Sequence, residues 1–353
     1  MNARYNFYSK PEYYQKLIDE ISKAKSGDRA ALASMGLKLQ EPHVSEIIQQ
    51  LTKAASRGVN VQLWIDARSF LLWPESMRPG PLFYRGHLPK KLKEPFKSQL
   101  LSLDALKSAG GHYAIVNQPA RRLSLPFAGR SHLKLAVIND YLMLGGCNLT
   151  SADEMDMMVG WRDIVAADLL YELTAKVVAN KKVRAAIGDK DILHKLGPRT
   201  ELLIDSGVPK QSAIFDRALR LIDEAEQSVF IVCQYYPNSV TLAHLKAAYR
   251  RGVKVTMVYN HPSQHGFLRS GLQNMVILRE RMRTPNRLFQ GQLQKDLPFL
   301  HAKLVATEQA AIIGSHNFVP AGVNLGTAEI ALLDRSPDFS KACVDAITAQ
   351  LNF

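Results

Sequence analysis

Cysteine is scarce in this chain, at three residues in 353. Cys147, Cys233 and Cys343 lie far apart, are odd in number and form no CxxC pair, so neither a disulfide framework nor a cysteine zinc site is expected. A reducing compartment fits best. No run of about 18 apolar residues occurs, and the opening MNARYNFYSKPEYYQK lacks the apolar core of a secretory signal. The expectation is a soluble or peripheral protein, in the cytoplasm or on the cytoplasmic face of a membrane. Acidic residues are also short: 32 Asp and Glu stand against 45 Lys and Arg, a net charge of +13. That balance favours anionic partners such as nucleic acid, acidic lipid surfaces or phosphorylated substrates, without choosing among them. The rest is ordinary for a folded chain, with 46% hydrophobic and 22% charged residues and length for one large or two modest domains.

Two stretches repeat. Residues 51–66 read LTKAASRGVNVQLWID and residues 245–260 read LKAAYRRGVKVTMVYN. Each is the end of an amphipathic helix, a Gly cap after Arg, and a strand. A second pair follows: SHLKLAVINDYLMLGGCNL at 131–149 and LHAKLVATEQAAIIGSHNF at 300–318. In both, HxK opens an apolar strand, a polar turn follows, then a second strand and a small-residue turn ending in Asn. His132 to Asn148 and His301 to Asn317 are each 16 positions. The helix–strand units lie 194 positions apart but the HxK units only 169, so the first half carries about 25 extra residues, between about 67 and 125. A Lys-, Gly- and Pro-rich connection puts the boundary near 200. The expected fold is α/β, two pseudo-symmetric halves at 1–200 and 201–353, each a mixed sheet flanked by helices.

A histidine and a lysine two apart on a strand share a face. If the halves pack about a pseudo-two-fold axis, His132, Lys134 and Asn148 meet His301, Lys303 and Asn317 in one shared active site. Such a pocket suits a phosphodiester: ammonium and amide donors meet the non-bridging oxygens, and two histidines take separate jobs. One attacks phosphorus to form a phosphohistidine; the other protonates the leaving alcohol and later deprotonates the incoming water or alcohol. No metal or other cofactor is called for. A histidine in this role needs a carboxylate on its other ring nitrogen. Asp156, 24 residues after His132, and Glu329, 28 after His301, are the candidates.

This constellation resembles the phospholipase D superfamily, whose signature is HxK, four residues, Asp, then a Gly-Gly or Gly-Ser turn ending in Asn. The matches are His132, Lys134, Gly145, Gly146 and Asn148, then His301, Lys303, Gly314, Ser315 and Asn317, and with the repeated RGV units the resemblance covers nearly the whole chain. It implies two phospholipase D-type halves with one site, and a metal-independent phosphodiesterase or phosphatidyltransferase, similar to phospholipase D or cardiolipin synthases. In the family the acid after the second Asn partners a histidine, the place Glu329 holds; Asp156 is its twin. Gly146 and Ser315 are assigned to the substrate, or to the turn alone. The sequence departs from the pattern at the Asp, where Asn139 and Glu308 stand and each turn is one residue shorter. That keeps a binding-only protein among the readings.

Other signals have plainer explanations. His244-Leu245-Lys246 is a third HxK, but it lies in a helical stretch and reads as a solvated face. Cys147 reads as a buried filler, since His316 holds the equivalent slot. Tyr235, in Gln234-Tyr235-Tyr236, either lines the substrate path or belongs to the core. The stretch 68–97 holds Arg68, Arg78, Arg85, Lys90, Lys91, Lys93 and Lys97 against two Glu, with Phe70-Leu71-Leu72-Trp73 and Phe83-Tyr84 among them. This is the composition of a segment that sits on anionic lipid, or of a basic loop over an ordinary core. A phospholipid substrate with peripheral membrane association is the leading expectation, a nuclease the alternative. One chain supplies both halves, so no protein partner is required.

Overall fold

The computed structural model describes residues 4–71, 79–84, 89–118, 129–237, 239–265, 275, 277, 279 and 297–351. The first half runs β1 (Asn6–Ser9), α1 (Lys10–Lys23), β2 (Arg29–Ser34), α2 (Pro42–Ser56), β3 (Asn60–Asp66), α3 (Arg68–Leu71), a 3-10 turn (Pro81–Tyr84), α4 (Lys90–Ser108), β4 (His112–Val116), β5 (Leu135–Ile138), β6 (Tyr141–Gly145), β7 (Met157–Arg162), α5 (Ile164–Asn180) and α6 (Val183–Ile187). The second runs β8 (Ile192–Lys195), β9 (Thr200–Ile204), α7 (Ala213–Glu224), β10 (Ser228–Val232), α8 (Ser239–Arg250), β11 (Lys254–Val258), β12 (Leu304–Thr307), β13 (Ala311–Gly314), α9 (Pro320–Leu325), β14 (Ile330–Asp334) and α10 (Pro337–Leu351).

Two mixed seven-stranded sheets result, ordered β1-β7-β6-β5-β2-β3-β4 and β11-β10-β12-β13-β14-β9-β8. Six strands of one match six of the other. The odd ones are β4, which the extra residues of the first half add parallel to β3, and β8, which adds to the opposite edge beside β9. The second sheet therefore begins with Ile192, a few residues ahead of the boundary expected at 200.

The strands are apolar on both faces because both faces are covered. Period two divides each strand between two cores. Leu135 and Val137 of β5 join a central core shared by both halves, with Leu304 and Ala306 of β12. Ala136 and Ile138 face an outer core under α1, α2 and α4. Val305 faces the matching outer core under α7 and α8. In the central core α5 and α10, the helices that follow β7 and β14, flank the contact between the sheets.

The RGV repeat has a structural reason. Gly58 and Gly252 adopt φ of 88° and 92°, the left-handed turn that ends α2 and α8 and which glycine enters without strain. The arginine before each reaches the last carbonyls of the preceding helix. Arg57 donates to Ile21 O at 3.1 Å, and Arg251 donates to Ile222 O at 3.0 Å and Ala225 O at 3.2 Å. A cation on the negative end of a helix ties α1 to α2 and α7 to α8.

The inserted segment divides between the two alternatives read from its sequence. Phe70 and Leu71 lie in the core, not on an interfacial surface. Phe83 is 60% exposed, and α4 shows Lys90, Lys91, Lys93, Lys97 and Leu101 to solvent while burying Gln99, Leu103 and Leu106. Leu72, Trp73, Arg78, Arg85 and residues 119–125 lie outside the described residues. The third HxK is helical as read, with His244 on α8 paired to Asp223 at 2.7 Å. No described helix is long and apolar enough to cross a membrane.

Candidate active site

Both HxK segments sit just before the first strand of a hairpin, at the end of the sheet where the parallel strands β2, β3, β10 and β11 finish. Each is held there by the last residue of the earlier repeat. Asp66 closes β3 and accepts the Ser131 N–H at 2.8 Å, and its carboxylate pairs with Arg130 at 3.3 Å. Asn260 stands in the equivalent place after β11; its Oδ1 accepts the Leu300 N–H at 2.7 Å and its Nδ2 donates to Leu300 O at 2.6 Å. The sequence reading missed this pair, though the signal was present: both copies of the repeat end in Asp or Asn.

Each HxK segment then crosses to the other half. Ser131 bridges Ala328 in parallel fashion, with His132 N–H donating to Ala328 O at 2.8 Å. Leu300 bridges Met155, with His301 N–H donating to Met155 O at 2.7 Å. Asp156 follows Met155 and Glu329 follows Ala328, so these bridges set each acid against the opposite histidine. His132 Nδ1 lies 2.9 Å from Glu329 Oε2, and His301 Nδ1 lies 2.7 Å from Asp156 Oδ2. Chain order puts Asp156 after His132 and Glu329 after His301; in space the partners are exchanged. The two rings are 6.3 Å apart, centroid to centroid, and edge-on at 67°.

With Nδ1 facing a carboxylate, each Nε2 is the ring nitrogen left for chemistry. Both histidines are almost fully buried, at 7% exposure. Burial, then the charges of Lys134 and Lys303, hold His132 well below the usual histidine range. Burial and Lys303 lower His301 too, opposed by the Asp156 carboxylate. Lys134 and Lys303 are buried, each folded back to donate to the carbonyl of its own histidine. Desolvation lowers both ammonium groups, and the two carboxylates oppose that loss.

The turns after β6 and β13 explain their small residues. A Cβ on Gly145 would lie 2.2 Å from Met157 O, and one on Gly314 2.2 Å from Ile330 O, so the next strand's backbone requires glycine at both. One residue on, the copies diverge. A Cβ on Gly146 would lie 2.0 Å from Asp156 Oδ1. Ser315 has room for its hydroxyl, which donates to Glu329 Oε2 at 2.5 Å. Gly146 thus leaves room for one acid and Ser315 holds the other.

Asn148 is half-buried and its Oδ1 accepts the Gly36 N–H at 3.2 Å, which fixes its amide. Asn317 is half-buried, and its Oδ1 has no partner among the described residues. Tyr235 is half-buried beyond the end of β10, while Tyr236 packs edge-on against Tyr259 in the core. Cys147 is buried, its thiol pushed up by desolvation and by Asp156.

Asn139 and Glu308 are turn residues with a shared task. Asn139 takes φ 54° and its Oδ1 accepts the Arg29 N–H at 3.2 Å. Glu308 accepts the Ser228 N–H at 3.0 Å and the Glu226 N–H at 2.9 Å. Arg29 and Ser228 are the first residues of β2 and β10, so both acceptors tie the hairpin turn to the start of the neighbouring strand. They stand at the far end of the hairpin from the histidines.

Among the described residues, Glu154, Asp156 and His301 have donor atoms within 4.8 Å of one another, a spacing that would accept a cation. The chain supplies one itself: Lys10 Nζ lies 2.5 Å from Glu154 Oε2.

The family model described as "Cardiolipin synthase, PLD-like domain" matches residues 17–161 and 218–349, covering both halves and the histidines, lysines, asparagines and acids of both motifs. The chain belongs to this family. Its fold is that of a phosphatidylserine synthase from Haemophilus influenzae Rd KW20, with TM-score 0.73 and 15% identity over 99% of this chain and 86% of that one. A polyphosphate kinase from Porphyromonas gingivalis is similar at TM-score 0.54 and 13% identity, over 98% of this chain and half of that longer one. No curated protein matches the chain in sequence.

Proposed function

We propose that this protein is a phosphatidyltransferase or phospholipase D that works through a phosphohistidine. The observation carrying the proposal is the pair of buried histidines, each on a carboxylate from the opposite half and each with a buried lysine folded against it. In this reading His132 Nε2 attacks phosphorus while the bond to the leaving alcohol breaks, and His301 gives that oxygen its Nε2 proton. The acceptor oxygen then attacks phosphorus, its proton passes to His301, and the P–N bond breaks to free His132. His132 suits the nucleophile because burial and two ammonium groups keep it neutral. Burial and Lys303 lower His301 as well, but the Asp156 carboxylate opposes them, and that makes His301 the better of the two to carry a proton to the leaving oxygen. Lys134, Lys303, Asn148 and Asn317 meet the phosphoryl oxygens, where preorganised donors stabilise developing charge. Tyr235 lines the approach from the second half.

A lipid substrate is supported by the family and by one surface. The chain leaves β3 at the active-site end and returns there after the 3-10 turn to start α4. Exposed Phe83 and the start of α4, with Lys90, Lys91 and Lys93 exposed, therefore follow from the active-site end of β3. Basic side chains beside an exposed ring are what peripheral binding to anionic lipid uses.

Product analysis in EDTA tests this reading, with phospholipid vesicles and DNA offered in parallel beside a His301→Ala control. Phosphatidic acid or a new diphosphatidyl lipid, lost in the control, is the expected result. DNA fragments lost in the same control would make the protein a nuclease instead.

A further inference from the structure

Lys10 belongs to neither HxK motif, yet it is wholly buried. It is the first residue of α1, and its ammonium donates to Thr150 Oγ1 at 2.8 Å and to Glu154 Oε2 at 2.5 Å. One helical turn on, Tyr14 donates to Asn148 O at 2.6 Å and Thr150 O at 2.8 Å. These two side chains share a face of α1 and grip the loop that carries Asn148 and Asp156. Among the described residues, the second half has no buried lysine in the equivalent place. Ser9 pairs with Met157 and Ile204 pairs with Ile330, so the residues following them, Lys10 and Asp205, occupy equivalent places beside the strand each acid begins. One half buries a cation there and the other a carboxyl.

We propose that Lys10 is a positioning residue for the His301–Asp156 pair: its ammonium, pinned between Thr150 and Glu154, offsets the negative charge of Glu154 and Asp156 and so sets how readily His301 takes up the proton it exchanges. A buried lysine is costly to desolvate and persists where acceptors and opposite charge surround it. Here the opposite charge is more than Glu154 alone. Glu154, Asp156 and His301 bring donor atoms within 4.8 Å of one another, so the ammonium on Glu154 faces the whole cluster. The other groups that face the pair are Lys303 and Cys147, then His132, Lys134 and Glu329 across the site. Lys303 is shared by both histidines, whereas Lys10 acts on one, which makes the two histidines unequal. The direction agrees: Asp156 is brought down to about 2, because His301, Lys303 and Lys10 together outweigh its burial.

The proposal rests on His301 being the proton-transfer group, but its test needs no turnover. The ring Cε1–H resonances of His301 and His132 are followed through a pH titration in the full-length protein, assigned with His→Gln variants. Removing a cation raises the proton affinity of its neighbours, and removing an anion lowers it. Lys10→Met is expected to move the His301 midpoint up by about half to one pH unit, Glu154→Gln to move it down, and Lys10→Arg to leave it in place. His132 should stay within about 0.2 units throughout. Equal shifts at both histidines, shifts of the same sign in Lys10→Met and Glu154→Gln, or no shift in a folded Lys10→Met would overturn the proposal. If Lys10→Met does not fold, Glu154→Gln decides alone, since it keeps Lys10 and removes its partner. Absence of activity on lipid would leave these titrations unaffected, so the two readings fail separately.

Discussion

Asp156 and Glu329 do the same work from opposite halves, and nearly every neighbour they have is different. Behind Asp156 stand Gly146, Cys147 and Lys10; behind Glu329 stand Ser315, His316 and Asp205. Burial raises both carboxyls, but the outcome differs in sign. Asp156 ends at about 2 under the charges of His301, Lys303 and Lys10. Glu329 ends above its ordinary value despite His316, Lys134 and the Ser315 hydroxyl. The duplicated backbone survives because carbonyls approach too closely for any residue but glycine at 145 and 314. Proton affinity has no such constraint, and side chains outside the motif have set it independently in each half.

The two histidines offer the largest test of that asymmetry. His132→Ala and His301→Ala should each lower turnover at least about a thousandfold with the fold intact by circular dichroism. Rapid quenching with an activated substrate should trap a phosphoenzyme in His301→Ala and none in His132→Ala. A phosphoenzyme in the reverse variant would exchange the roles assigned here.

The turns come next in size. Gly146→Ala sets a methyl against the Asp156 carboxylate, so we expect a loss of about 1–3 kcal/mol in denaturant unfolding together with most of the activity. Ser315→Ala deletes the hydroxyl's bond to Glu329 and the one it accepts from the Ile330 N–H, each worth about 1 kcal/mol, and should lower kcat only several-fold. Equal losses at the two positions would show that the turns are more alike than their contacts.

Asp205 separates the halves by pH. Burial pushes its carboxyl up to about 8, so between pH 4 and 8 it stays protonated when folded and ionises when unfolded. Its contribution is complete below pH 4 and is lost as pH rises towards 8. Asp205→Asn should therefore gain stability relative to the parent as pH rises, on the order of a few kcal/mol by pH 8. Thermal melts at pH 5 and 8 would read this, and a constant difference between the two would contradict it. The smallest effect belongs to the motif's missing aspartates. Asn139→Asp and Glu308→Asp should leave kcat/KM within about twofold, because both positions serve a turn at the far end of the hairpin.

Much of this was legible in the sequence. Two copies of HxK followed at equal spacing by a small-residue turn gave both hairpins, and RGV gave both helix–strand corners. The residues that hold the site were harder to see. Asp66 and Asn260 end the two repeats as an acid and its amide, a likeness that was there to be read, whereas Lys10 is a base where its counterpart Asp205 is an acid, so repetition did not mark it. Nor could spacing along one chain show that the acids trade partners. That exchange comes from two isolated parallel bridges between the halves, Ser131 with Ala328 and Met155 with Leu300. Phe70 and Leu71 could not be assigned from sequence, because a short apolar run looks alike whether it caps a core or a membrane; in the fold they are core.

The central claim is that each histidine is served by the opposite half, and carboxylate exchange tests it most directly. In Asp156→Asn and Glu329→Gln, the ring resonances of His132 and His301 are followed through pH. The account predicts that Asp156→Asn moves the His301 midpoint down by about a unit or more and barely touches His132, while Glu329→Gln does the reverse. If each substitution instead moves the histidine of its own half, the crossed arrangement is wrong.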